Sequence, residues 1–183
     1  AYVRADADVA HTVENVVDGA FFNSGQSCCG IERVYVHRSR YDETVDAMAD
    51  AVAGYRLGSP LDAETTLGPM VTGRAADGVR AQVGAALDAG ATAVVGPGRV
   101  GHADGGPGSP NLAPTLLTGV DHSMEVMAEE SFGPVLGVMP VDDEARAVRL
   151  MNDSPYGLTA SVWTADIDAA RSIGRQLETG TVY

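Results

Sequence analysis

The chain has 183 residues, a net charge of -13 at pH 7 and a mean hydropathy of -0.01. That length supports one hydrophobic core. The acidic balance argues against nucleic acid and against an anionic membrane surface as partners, because both need clustered Lys and Arg, and no apolar run approaches the ~20 residues of a membrane span.

The charge is read as a solubility device. All twelve cations are arginines and there is no lysine. A Schiff-base lysine, a phosphate-loop lysine and a lysine general base are therefore excluded within these residues. The chain opens on "AYV" and closes on "GTVY", both strand-like, so it reads as a domain excised from a larger protein.

Residues 8–23 carry Val9, Val13, Val16, Val17 and Ala20 at helical spacing, and Gly25 supplies a stop. "ERVYVH", 32–37, alternates and is β-rich, which predicts a strand. Ser39 and Asp42 resemble a capping box opening a helix with the stripe Tyr41, Val45, Met48, Ala49 and Val52. A turn-rich loop over 57–70 leads to a helix over 73–89, weakened by Gly78 and Gly84.

"TAVVG" predicts a short strand, and residues 96–110 an exposed Gly/Pro loop without a phosphate-binding pattern. "NLAPTLLTGV" is extended, with Pro114 marking it as an edge or irregular strand. An apolar strand over 135–141, a helix over 143–152, a strand "TASVWT" and a helix over 166–178 complete the series. This alternation predicts an α/β fold: a three-layer sandwich of a mostly parallel or mixed sheet with helices on both faces.

The only two cysteines, Cys28 and Cys29, are adjacent in "GQSCCG". A disulfide between neighbours closes a strained ring. Two free thiols and a reducing, cytoplasmic compartment are therefore expected. Cys28 sits in a Gly-flanked turn between helix and strand, where functional groups concentrate. The preceding helix points its C-terminus at the turn, which disfavours a thiolate. No histidine is near in sequence; His11, His37, His102 and His122 read as surface residues. From the residues alone, Cys28 is either an inert thiol or a nucleophile whose activator lies elsewhere.

"AEESFGPV", 128–135, sets Glu129 and Glu130 before a Phe-Gly-Pro turn at a strand entrance. Glu129 reads as part of a solvated acidic turn, while Glu130 and Phe132 stay open between that reading and a ligand grip. Asp6/Asp8 and Asp142/Asp143 read as helix N-terminal charges, and no His/Cys cluster has zinc spacing.

Taken together, "FFNSGQSCCGIERVYVH", "LGSPLDAETTLGPMV", "EESFGPV", "NDSPYGLTASVWT" and "LETGTVY" resemble signatures of the aldehyde dehydrogenase superfamily, in order along the whole chain. The resemblance implies that residues 1–183 are a single catalytic domain, with the cofactor-binding domain and a C-terminal segment absent from this chain. It places the nucleophile at Cys28, with Cys29 as a packing neighbour, and matches Glu130 and Phe132 to the residues that hold the nicotinamide ribose.

The activity so implied is oxidation of a small aldehyde to a carboxylic acid with NAD or NADP. It runs through a thiohemiacetal and a thioester on Cys28, with the Cys28 N–H donating to the oxyanion. The resemblance implies further that the cofactor is bound mainly by the absent domain, and that the general-base glutamate, in a segment shortly before Ala1, and the oxyanion asparagine also lie outside this chain. The intact enzyme is then expected as a homodimer or homotetramer. Ala75 and Gly78 stand where many relatives place cofactor-reaching polar side chains, a departure. Competing readings are a CoA-acylating or phosphate-linked semialdehyde dehydrogenase of the same superfamily, a cysteine hydrolase needing a histidine at Cys28, and a non-catalytic α/β domain.

Overall fold

The computed structural model describes residues 1–96 and 105–183. Part of the Gly/Pro loop expected over 96–110, His102 included, lies outside the described residues. In chain order the elements are β1 (Tyr2–Val3), α1 (Val9–Phe21), β2 (Arg33–His37), α2 (Tyr41–Ala53), α3 (Gly73–Asp88), β3 (Thr92–Val95), β4 (Thr115–Thr118), α4 (Glu125–Ala128), β5 (Val135–Val141), α5 (Glu144–Asn152), β6 (Thr159–Ala160), β7 (Val162–Trp163), α6 (Ile167–Gly174) and β8 (Thr181–Val182).

Six strands form one sheet in the order β3-β4-β5-β2-β1-β7, parallel except for the antiparallel β3–β4 pair. β6 and β8 form a separate parallel pair. Successive residues of a strand face opposite sides, and here both sides are covered. Val3, Val34, Val36, Leu116, Leu136 and Val138 pack with Val13, Val16 and Val17 of α1 and Met48 and Val52 of α2. Tyr2, Tyr35, Leu117, Val135, Met139 and Val141 pack on the other side with residues of α3, α4, α5 and α6. The expected three-layer α/β sandwich with a mixed sheet is therefore the observed one. The buried run of β5 is what a strand covered on both faces requires.

Helix starts follow local chemistry. Asp8, Thr72, Asp143 and Asp166 each accept an N–H of the first turn of the helix that follows. The capping box expected at Ser39 and Asp42 does not form. His37 accepts the Ser39 N–H and its ring bonds the Ser39 hydroxyl, so a short 3-10 turn over Arg38–Arg40 precedes α2.

β4 is not an edge strand as Pro114 suggested: it lies between β3 and β5. Pro114 precedes the first ladder residue, so its missing N–H removes nothing from the ladder. The single strand expected in "TASVWT" is two. Thr159 and Ala160 pair with β8, while Val162 and Trp163 pair with β1. The helix expected over 166–178 ends at Gly174, and Ile167 is exposed rather than part of a buried stripe.

Leu136 is fully buried at the centre of the sheet. Leu136→Ala is expected to destabilise the chain by about 3 kcal/mol in chemical denaturation. A loss below about 1 kcal/mol would contradict the two-faced packing of β5.

Candidate active site

The cysteine segment folds as it does because three successive residues take the left-handed conformation: Asn23 (φ 50°), Ser24 (φ 57°) and Gly25 (φ 72°). Two of them carry side chains, for which this region is unfavourable. Their compensation is visible. Asn23 donates from Nδ2 to the Gln26 carbonyl, and Gln26 donates from Nε2 to the Asn23 carbonyl, both at 3.0 Å. The Ser24 hydroxyl donates to the Gly68 carbonyl at 2.6 Å, and Gln26 Oε1 accepts the Val71 N–H at 2.7 Å. The loop over 57–70 is thereby tied to the cysteine segment.

Gly25 is also pressed onto Gly133. A Cβ on Gly25 would overlap the Gly133 carbonyl and reach the Pro134 nitrogen at 2.9 Å. A Cβ on Gly133 would in turn meet Val79 Cγ2 of α3 at 2.6 Å. Only glycine serves at both positions. Backbone-on-backbone contact therefore joins the "GQSCC" loop to the "ESFGPV" turn.

Cys28 and Cys29 occupy the centre of the turn over 27–30, closed by the Gly30 N–H donating to the Ser27 carbonyl at 2.9 Å. Both are free and exposed, with their sulfurs 3.9 Å apart. Cys29 does not pack, contrary to expectation: the turn points both thiols outward. Its hydrogen bond with Cys28 holds the Cys29 thiol above the usual range.

Among the described residues, the one side-chain hydrogen-bond partner of either sulfur is the other sulfur. His11 pairs with Asn15 and its ring meets Trp163, and His37 pairs with Ser39. His122 is not a surface residue. It is held between the Tyr35 hydroxyl (2.8 Å) and Asp153 (2.7 Å), and burial pushes Tyr35 up to about 12. None of these three imidazoles serves Cys28 as the base of a cysteine hydrolase.

An open cavity of about 530 Å³ is lined by Cys28, Cys29, Glu32, Glu130, Tyr156 and Leu158, among others. Phe132 is not among its lining residues, but the residue is 39% exposed and its backbone is left-handed, φ 49°. For an aromatic residue that conformation costs about 1–3 kcal/mol and persists only where the surroundings impose it. Glu130 is exposed, and its carboxylate has no hydrogen-bond or ion-pair partner among the described residues. Glu129 accepts the Tyr156 hydroxyl at 3.0 Å, which joins the "EESFGPV" turn to "NDSPYG".

One residue of the site escaped the sequence reading. Glu32 accepts the Ser131 N–H on Oε2 (3.0 Å) and the Phe132 N–H on Oε1 (2.9 Å). Burial pushes its carboxyl above the usual range, against the pull of the two donors. Its only signal in the sequence was a charge at the start of a predicted strand, which reads as an ordinary exposed end. Among the described residues no cluster of His, Cys, Asp and Glu has the makings of a metal centre. No helix among them is long and apolar enough to cross a membrane.

The aldehyde dehydrogenase family model matches residues 1–183, and the chain belongs to that family. It is 39% identical over 183 residues to the geranial dehydrogenase of Castellaniella defragrans, covering 100% of this chain and 37% of the relative. It is equally 39% identical over 183 residues to the NADP(+) succinate-semialdehyde dehydrogenase of Deinococcus radiodurans, again covering 100% of this chain and 37% of the relative. The crystal structure of an aldehyde dehydrogenase C variant from Pseudomonas syringae, in complex with NAD+ and octanal, superposes with a TM-score of 0.90 at 34% identity, over 99% of this chain and 37% of that one. The chain thus spans about 37% of the length of these relatives.

Gly25→Ala is expected to lower stability by at least about 2 kcal/mol, combining left-handed strain with overlap at Gly133. It should also change the iodoacetamide labelling rate of Cys28. A variant of unaltered melting temperature and labelling rate would mean that the two segments are not locked together.

Proposed function

We propose that residues 1–183 are the single catalytic domain of an NAD(P)-dependent aldehyde dehydrogenase, with Cys28 as its nucleophile. The cofactor-binding domain, the general base and the C-terminal segment would then be supplied by polypeptide outside this chain. The observation that carries the proposal is the Gly25–Gly133 contact. It sets the cysteine turn beside the "EESFGPV" turn, so that Cys28 and Glu130 line one cavity in a chain that matches the family from end to end.

In the proposed reaction the Cys28 sulfur, once deprotonated, bonds to the aldehyde carbon, and the carbonyl oxygen becomes an alkoxide. Among the described residues no backbone hydrogen bond uses the Cys28 N–H. That donor is free for the oxyanion, a contribution of about 3 kcal/mol in comparable sites. NAD(P)+, when bound, supplies the hydride acceptor that makes the step an oxidation. The acyl group then stays on Cys28 as a thioester until water breaks the carbon–sulfur bond and releases the carboxylic acid.

Glu130 and Phe132 suit a cofactor carrying ribose hydroxyls. An exposed carboxylate without a protein partner accepts hydroxyl donors, and an exposed aromatic ring gives apolar contact beside it. The adjacent free thiols fit a reducing compartment, here the cytoplasm. The proposal extends to a small aldehyde substrate and to a homodimer or homotetramer of the full-length protein.

Three outcomes are expected. In the full-length gene product, Cys28→Ser should lower aldehyde-dependent NAD(P)H formation by more than about 10³-fold, whereas Cys29→Ser should lower it by less than about tenfold. The 183-residue chain alone should show no turnover. Full activity in Cys28→Ser, or steady NAD(P)H production by the isolated chain, would overturn the proposal.

A further inference from the structure

Glu32 is a half-buried carboxylate that the proposed chemistry does not use. It stands four residues after Cys28, at the entrance to β2, where a charged side chain would ordinarily turn to solvent. Instead each of its oxygens takes one of two consecutive backbone N–H groups, Ser131 and Phe132, across about a hundred residues of sequence. A two-point grip of this kind fixes orientation as well as distance. It acts at the residue whose backbone is least favourable. Phe132 is left-handed without being glycine, and such a conformation must be imposed from outside.

We infer that Glu32 is a positioning residue for the cofactor end of the site: its carboxylate holds the Ser131–Phe132 backbone in the strained turn that presents Glu130 and the Phe132 ring. The inference rests on the reading of this chain as an aldehyde dehydrogenase domain.

Glu32 is not a substitute general base. Each of its oxygens already accepts a backbone N–H, from Ser131 and from Phe132, and among the described residues it makes no hydrogen bond with Cys28. Nor is it a duplicate of the Gly25–Gly133 contact. That contact sets the distance between the two segments through backbone packing one residue further on. It supplies no hydrogen-bond acceptor for Ser131 or Phe132. Arg33, the neighbouring cation, is turned to the Met127 and Asp153 carbonyls, so it does not bridge Glu32 to Glu130.

The test uses Glu32→Gln in the full-length gene product. Glutamine has the same shape but keeps one acceptor and sets an amide donor against the second N–H. Loss of one charge-assisted hydrogen bond corresponds to about a tenfold change in an equilibrium. The expected result is a KM for NAD(P)+ raised about tenfold with kcat changed less than about threefold, and faster amide exchange in the peptide containing Ser131 and Phe132. Iodoacetamide labelling of Cys28 should stay near the wild-type rate.

Glu32→Asp keeps the charge but is one methylene short, and its KM should fall between the two; it also serves if the glutamine variant does not fold. Unchanged KM and exchange in either variant would overturn the inference. Faster exchange with an unchanged cofactor KM would show a structural brace only, and would overturn it as well. A wild-type protein that fails to bind NAD(P)+ would instead defeat the aldehyde dehydrogenase reading, and amide exchange would then decide the clamp alone.

Discussion

The site depends on two glycines that touch. Gly25 lies against the carbonyl of Gly133 so closely that no side chain fits between them, and Gly133 is backed by Val79 of α3. The residues proposed to carry the chemistry lie a few residues from that contact. On one side are the turn that carries both thiols and the entrance to β2. On the other are Glu129, Glu130 and Phe132, just before β5. β2 and β5 are neighbours in the sheet, with Arg33 opposite Gly137. The sheet delivers the two segments to the same end, and the glycine contact removes the remaining space between them.

Such closeness requires unfavourable backbone on both sides. Asn23, Ser24 and Phe132 are all left-handed without being glycine. Ser24 and Phe132 are held by groups distant in sequence, Gly68 and Glu32, while Asn23 is bonded locally to Gln26, which is itself tied to Val71. The third segment, over 57–70, is drawn in by the same bonds. Strain concentrated in this way, and offset by specific polar contacts, is what a preorganised site shows and a mere connecting loop does not.

Much of the architecture was legible in the sequence because it follows from periodicity. The stripe of α1, the buried run of β5 and the acidic helix starts at Asp8 and Asp143 are local signals. What escaped depends on partner choice. "TASVWT" alternates without interruption, yet Ala160 accepts the Tyr183 N–H while Ser161 accepts the Tyr2 N–H, so the run passes from one sheet to another. Ser39 was a sound capping candidate, but the His37 ring reached it first. The nucleophile candidate and the two residues at the strand entrance were legible through motif spacing. The carboxylate that grips the Ser131 and Phe132 N–H groups was not, because nothing in "IERVYV" distinguishes a glutamate facing solvent from one gripping a turn about a hundred residues away.

The central claim is that Cys28, rather than its neighbour Cys29, which is also exposed, forms the bond to the substrate carbon. The most direct measurement is acid quenching of the full-length protein during turnover with an aldehyde and NAD(P)+, followed by fragmentation mass spectrometry of the peptide containing both cysteines. The account requires an acyl group on Cys28 that disappears as substrate is exhausted. An acyl group on Cys29 alone, or turnover with neither sulfur acylated, would contradict it.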